Sequence, residues 1–495
     1  MQWTPGQAGP RGDAAPVQDA RERLALANQL LARHRYGTPE HEQGYALLRA
    51  AAEAPGGTRA QWMLGAYHLQ VVQRPGASAE ALVWLRRAAG AGVAPALDRL
   101  ADALLQDIAT PFSIADALPP LRLLAEHGHP PSAWQLAYLA GQGDAPDLGV
   151  APASLWLRAC ALGFGPAYYG LGLRVATGDG VPRDATLGRA LLLRAADAGL
   201  RDAREAADEF TADADPAATA TLHAVLKANL AAAQPLLASV GRDEIIPTHG
   251  VDPRVQRLEA HLVAVGHPAF FIDAGGRAAM RDAVRPAAMA IPQWRWSDGR
   301  PRVGTADAFA SREECAWLVH KVADSLLRPD QSGRRHSAND ASETEQFDGQ
   351  VRPLRPLETD AVVRLLQHRA VSTLGWRARD LEPSSVIRYA PGNAYDVHVD
   401  YFTDEQIARN REHAGDGGGQ RVATFLVYLE APVQGGETDY PRAGLRVRGH
   451  RGMAVVHYNV ADGRPDPESL HAGLPVVAGE KWLWRSTLRE HALYA

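Results

Sequence analysis

The chain has 495 residues, 46% hydrophobic and 22% charged, with a formal net charge of -5. That length suggests two to four domains of ordinary globular composition, and the mild acidity gives no electrostatic reason to expect nucleic acid or an anionic membrane as partner. The two cysteines, Cys160 and Cys315, exclude a disulfide framework and a cysteine-based zinc site; with no apolar run of about 18 residues to span a membrane, the expected location is the cytoplasm.

Residues 1–24 are expected to be a flexible terminus, because Met1 to Pro16 is rich in Gly, Pro and Ala and lacks the apolar core of a signal peptide. A period then runs to residue 205. Gly56, Gly92, Gly128, Gly163 and Gly199 follow one another at 36, 36, 35 and 36 residues. Helical runs precede each glycine (Ala46–Ala52, Ala81–Ala89, Leu121–Glu126, Ser154–Ala161, Gly188–Ala196), and second runs such as Trp62–His68, Trp134–Ala140 and Tyr168–Val175 follow. Ala60, Ala96, Ala133, Ala167 and Ala203 open the second helix, where two helices must approach closely. A fixed period of this size marks an α-solenoid, in which each helix pair buries its faces only by stacking on the next. Trp62, Trp84, Trp134 and Trp156 are expected in the core between helices. From Ala167 to Gly199 the pattern resembles a Sel1-like repeat, a relative of the tetratricopeptide repeat. The resemblance extends over residues 25–205 and implies either a protein-binding surface or a scaffold.

Residues 206–300 form a connecting region without a sharp motif. Ala217–Val240 and Asp252–Val265 read as helices, Pro268–Asp273 as a short strand, and Pro286–Arg300 as irregular chain. Beyond it, Val386–Tyr389 and Tyr395–Tyr401 read as strands around a Pro391-Gly392-Asn393 turn. His398 and Asp400, two apart on a strand, would share a face. Val422–Leu429 and Met453–Asn459 are further strands, with a turn at Gln434–Thr438. His471 follows His398 by 73 residues and Lys481 follows His471 by 10. Two imidazoles and one carboxylate on one face of an octahedral ion leave three positions open, the geometry of non-haem Fe(II) oxygenases. A dianionic co-substrate would fill two of them and needs a cation for its far carboxylate, which Lys481 can supply, with hydrogen bonds from Tyr389 and Thr438.

Residues 301–495, with a core at 380–491, resemble the prolyl 4-hydroxylase branch of the 2-oxoglutarate/Fe(II) dioxygenases. The matching blocks are Tyr389, Gly392, Tyr395, His398, Asp400, Tyr401 and Phe402; Gly418-Gly419-Gln420-Arg421; Gly435-Gly436-Glu437-Thr438; Ser469-Leu470-His471; and Gly479-x-Lys481-Trp482. Ala310–Val319 resembles the helix that opens this domain. The resemblance implies a double-stranded β-helix (jelly roll), so the whole is a multidomain α + β chain. It also implies Fe(II) on His398, Asp400 and His471, with 2-oxoglutarate on Lys481, Tyr389 and Thr438. O2 would be the oxidant, L-ascorbate would keep the iron reduced, and succinate and CO2 would be released. Tyr395, Arg421 and Arg335 are the candidate substrate contacts, Arg335 within a Gly333–Ser337 segment like the family's substrate loop. His457 is read as a pocket or core histidine, because no lysine follows it at ten residues. Thr487 stands where many family members carry Trp, with Trp484 three residues earlier. The leading substrate is a peptidyl residue such as proline on a polypeptide recruited by the repeats. The alternatives are a free amino acid or small metabolite, or an interaction module with an inactive oxygenase domain. The sequence does not fix the oligomeric state.

Overall fold

In the computed structural model of the chain, residues 14–34, 37–70, 76–106, 110–142, 145–146, 148, 152–270, 292–327, 347–354, 358–414 and 418–492 are described. The repeat period is a period of turns. Helices α1 (Ala14–Arg33), α2 (Pro39–Glu53), α3 (Thr58–Gln70), α4 (Ala77–Gly90), α5 (Ala94–Leu104), α6 (Ile114–Glu126), α7 (Pro130–Ala140), α8 (Pro152–Ala161), α9 (Gly165–Thr177), α10 (Ala185–Asp197) and α11 (Asp202–Glu209) each pack on their neighbour in sequence. Helix α1 begins at Ala14, so a helix occupies part of what the composition suggested as a flexible terminus. All five periodic glycines lie in the left-handed region, with φ between 75° and 92°. There they end a helix, and the residue after four of them bonds back to a carbonyl five residues earlier (Val93 to Ala88, His129 to Leu124, Phe164 to Ala159, Leu200 to Ala195). The five alanines of the second helices are at most 2% exposed. Trp84, Trp134 and Trp156 are buried, and Trp62 is half-buried against the cluster around Leu82, Leu85 and Val93.

The connecting region folds back over these turns. It contains α12 (Pro216–Ala232), α13 (Gln234–Leu237) and α14 (Pro253–Ala264), of which α12 packs on α10 and α14 on α8. Between them the backbone bonds to successive repeats: Gly241 N–H to His127 O, Ile246 N–H to Gly92 O, and Asp252 N–H to Glu126 O. A side chain at Gly92 would lie 2.0 Å from Ile246 O, so only glycine fits beneath this strap. Two expectations fail here. Pro268–Phe270 is a 3₁₀ turn rather than a strand, capped by His267 beneath it, while residues 271–273 lie outside the described residues. Arg295–Trp296, expected to be irregular, forms strand β1 by pairing with β2 (Val303–Ala306).

The C-terminal segment is a two-sheet antiparallel β structure. The larger sheet runs β1, β2, β10 (Ala454–Tyr458), β6 (Arg421–Glu430), β15 (Lys481–Arg489), β4 (Ser385–Tyr389), β3 (Gln350–Pro353). The smaller runs β5 (Tyr395–His398), β13 (His471–Gly473), β8 (Thr438–Tyr440), β9 (Leu445–Val447), with β7 (Gln434–Gly435) paired to β14 (Val476–Ala478) and β11 (Val460–Ala461) to β12 (Arg464–Pro465). The expected turn at Gln434–Thr438 therefore holds β7 and the start of β8, and β14 intervenes between the strands of His471 and Lys481. Ile387, Tyr389, Leu426, Tyr428, Tyr440 and Leu483 form the core between the sheets. Alternation along β15 sends Trp482 and Trp484 to the other face, where they join the helical core with Trp134 and Trp317. That face is covered by α15 (Arg312–Leu327) and α16 (Ala361–Ser372).

Repeats and β structure share one core and a set of buried charge pairs. Arg364 of α16 donates to Asp102 of α5 at 2.7 and 3.2 Å. Tyr138 of α7 donates to Glu314, whose carboxylate also takes two bonds from Arg369 at 2.9 and 3.0 Å. Asp202 of α11 meets Arg312 at 2.6 Å and Arg451 at 2.8 Å, and Trp134 lies 4.6 Å from Trp317 between ring centres. These repeat side chains hold the oxygenase-like segment and are not available to a partner.

Candidate active site

Between the two sheets lies a partly open cavity, lined by His398, Asp400, His471, Thr438, Tyr395, Tyr389, Lys481 and Arg485 among others. At one end His398, Asp400 and His471 bring ligand atoms within 4.8 Å of one another. His398 and His471 are register partners across β5 and β13, so sheet pairing sets their spacing. Strand β5 ends at His398, so Asp400 belongs to the following turn rather than the same strand, yet its Oδ1 lies 3.6 Å from His398 Nε2. Both rings have one nitrogen committed: Nδ1 of His398 is 2.7 Å from Asp396 O, and Nδ1 of His471 is 2.9 Å from Ser469 O. A carbonyl only accepts, so each Nδ1 carries a proton and Nε2 is the nitrogen that faces the site.

Asp400 Oδ2 accepts from Thr424 at 2.6 Å and faces His457 Nε2 at 3.3 Å; His457 Nδ1 meets the Tyr440 hydroxyl at 2.9 Å. Burial opposes ionisation of Asp400, but the His457 hydrogen bond and the surrounding imidazoles outweigh it and hold the carboxyl well below its ordinary range. Burial first, and then the neighbouring His398 and His457, keep the His471 imidazole neutral far below its usual titration. A carboxylate, a neutral imidazole and a second imidazole whose Nε2 faces them form a donor set that fits a divalent metal.

At the other end stands Lys481, 2% exposed, its ammonium 5.3 Å from the ring centres of both Tyr389 and Tyr428. Tyr428 OH and Thr438 Oγ1 share a hydrogen bond of 2.8 Å beside it. Among the described residues Lys481 makes no hydrogen bond or ion pair, and burial pulls its pKa down to about 7. A buried cation without a partner is costly, and a ligand carboxylate there would remove that cost.

The expected residues thus gather in one cavity, with two exceptions. Arg335 lies outside the described residues. Arg421, expected to meet substrate, does not line the cavity: it sits behind Asp400, donating to Glu382 at 2.8 and 3.1 Å and to Asp400 O at 3.4 Å. Tyr395 lines the cavity and stacks on His398 at 3.7 Å. Trp484 faces the helices, so it cannot take the role of the missing Trp, and Thr487 is buried opposite Thr424. Thr424, Tyr428 and Arg485 were not singled out from the sequence. Strand alternation would have found them, since Thr424 and Tyr428 share a face of β6, and Lys481, Leu483 and Arg485 share a face of β15.

A three-ligand metal end and a buried cation at the far end of one cavity define a site for a metal and an anionic co-substrate. Residues 384–486 match the 2OG-Fe(II) oxygenase superfamily. Among curated proteins the chain is 29% identical over 206 residues to Prolyl 4-hydroxylase 2 of Arabidopsis thaliana, covering 37% of this chain and 65% of that one. It is 30% identical over 215 residues to Prolyl 4-hydroxylase 1 of the same plant, covering 40% and 71%. The chain thus spans about two thirds of the length of these relatives. A solved Sel1 repeat protein from Oxalobacter formigenes is 21% identical, covers 56% of this chain and 86% of its own, and has a TM-score of 0.33. The chain belongs to the prolyl 4-hydroxylase family of 2-oxoglutarate/Fe(II) oxygenases.

Proposed function

We propose that this chain hydroxylates a C–H bond of a peptidyl residue, proline foremost, with 2-oxoglutarate and O2 as co-substrates, L-ascorbate as reductant and the cytoplasm as its compartment. The supporting observation is the pairing, in one cavity, of a three-ligand cluster at His398, Asp400 and His471 with an unpartnered buried ammonium at Lys481. The names of the Arabidopsis relatives supply proline as the leading target. In this reading residues 301–495 are the oxygenase domain, 25–205 the repeats and 206–300 their strap.

His398, Asp400 and His471 would hold Fe(II). When bound, the metal supplies the activation of O2, coupled to oxidative decarboxylation of 2-oxoglutarate to succinate and CO2. The backbone carbonyls of Asp396 and Ser469 fix the histidine tautomers, and Thr424 with His457 fixes the carboxylate, so the ligands meet the metal already oriented. Lys481 would take the far carboxylate of 2-oxoglutarate, with Tyr389 and Thr438 donating hydrogen bonds to it. Tyr395, held against His398, would form one wall for the substrate. The repeats keep α5 to α11 against the oxygenase; recruitment of the polypeptide falls to the rest of their surface.

The test is to incubate the full chain with Fe(II), 2-oxoglutarate, ascorbate and proline-rich peptides. Succinate should form only with peptide, and mass spectrometry should find one added oxygen on proline. Succinate without an oxygenated proline in any peptide would overturn proline as the target.

A further inference from the structure

The cavity holds a second cation that neither metal nor co-substrate accounts for. Arg485 lies four residues beyond Lys481 on β15 and points to the same face, with Leu483 between them and Trp482 and Trp484 buried on the opposite face. It is partly buried and lines the cavity. Among the described residues it has no hydrogen bond, ion pair or ring contact. The other arginines of the large sheet contrast with it. Arg388 is met by Glu480, Arg421 and Arg489 by Glu382. Asp400 is the one carboxylate among the cavity-lining residues, and it is held by Thr424 and His457.

Position along the strand says which ligand Arg485 would meet. Lys481 is the register partner of Tyr389, at the end away from the metal. Arg485 is opposite Leu426, two residues along β6 from Thr424, which holds Asp400. Four strand residues span roughly 13 Å of backbone, so Arg485 is rooted nearer the metal end than Lys481, although its charge is still felt at Tyr389, and KM for 2-oxoglutarate separates the two ligands it could meet. Charge points the same way. With a divalent metal, Asp400, Lys481 and Arg485 present, a dianionic co-substrate leaves one positive charge unmet.

We propose that Arg485 is a specificity-determining residue that binds a carboxylate of the substrate, so the preferred peptide carries an acidic side chain next to the hydroxylated residue. The planar guanidinium suits a two-pronged grip on a carboxylate, which fixes orientation as well as charge. Holding that group beside the metal end would bring the neighbouring residue's C–H bond to the iron. This rests on the peptide reading above.

The experiment compares two proline-rich peptides identical except for Glu or Gln beside the target proline, on the full-length chain. Peptide binding is measured without oxygen on protein loaded with Mn(II) and 2-oxoglutarate, and kcat/KM is measured with Fe(II). The expected result is at least a tenfold preference for the Glu peptide in both. Arg485→Gln should abolish the preference, Arg485→Lys should restore part of it, and KM for 2-oxoglutarate should move less than twofold in either. A raised KM for 2-oxoglutarate with the peptide preference intact would assign Arg485 to the co-substrate and overturn the proposal. Equal handling of the two peptides by the unmodified chain would overturn the carboxylate preference alone. Failure of both peptides to bind, with 2-oxoglutarate still bound, would overturn the peptide reading and this proposal together.

Discussion

Arg369 and Lys481 are both buried cations of the C-terminal segment, at 6% and 2% exposure, and they differ in what meets them. Arg369, on the helical side of the large sheet, gives two hydrogen bonds to Glu314 and a third to Phe309 O, and Glu314 in turn takes Tyr138 from the repeats. Lys481, on the cavity side, has two aromatic faces and feels Glu437 only at a distance, with no hydrogen bond or ion pair among the described residues. The same contrast separates Arg364, paired to Asp102, from Arg485. Charge buried with its complement holds the repeats to the sheets. Charge buried without one is a destabilising feature that a ligand would relieve.

That contrast can be broken from either side. The largest effect belongs to the metal end. Asp400→Ala should lower 2-oxoglutarate turnover by about a thousandfold or more, ~4 kcal/mol of barrier, with bound iron falling in metal analysis; full iron occupancy would remove Asp400 from the ligand set. On the architectural side, Glu314→Ala leaves Arg369 buried and unpaired and should cost about 3–5 kcal/mol of stability in denaturant unfolding. Lys481→Met should do the reverse. KM for 2-oxoglutarate should rise roughly 100-fold, about 2.7 kcal/mol, while the ligand-free chain keeps or gains thermal stability.

Acidity sharpens the point about Lys481. Its folded pKa is lowered to about 7 by burial, and only the ammonium form attracts a carboxylate. Below that pH the charge is already present. Above it, binding must also take up a proton, so KM for 2-oxoglutarate should climb by up to about tenfold per pH unit, and Lys481→Met should flatten the dependence. The smallest effect is expected at His457. His457→Ala removes one contact to Asp400 Oδ2 but no ligand, so iron should stay bound and turnover fall by several-fold, about 1 kcal/mol. Iron loss there would exchange it for His471 as the third ligand.

The sequence showed the parts of this molecule that are local. The glycine period revealed the turns because a left-handed residue must recur wherever a helix pair recurs. His398, Asp400 and His471 stood out because their neighbours form recognisable blocks. What stayed hidden depends on register between distant strands. Nothing near Thr424 or His457 in the chain announces that β6 and β10 lay both beside Asp400. Arg421 misled for the same reason: its partner Glu382 is 39 residues away and arrives only when β15 is inserted between β6 and β4. The pairing of Asp102 with Arg364, across 262 residues, has no sequence signature at all.

The strap over the glycine turns bears on how such a chain can be cut or inherited. Residues 238–252 supply backbone partners at His127, Gly92 and Glu126, and α14 lies on α8. A recombination breakpoint near residue 205 would bare those turns on one fragment and orphan the strap on the other. A piece ending at 205 should therefore unfold at lower denaturant than one ending at 270, while both lack the core and charge partners that the C-terminal segment supplies.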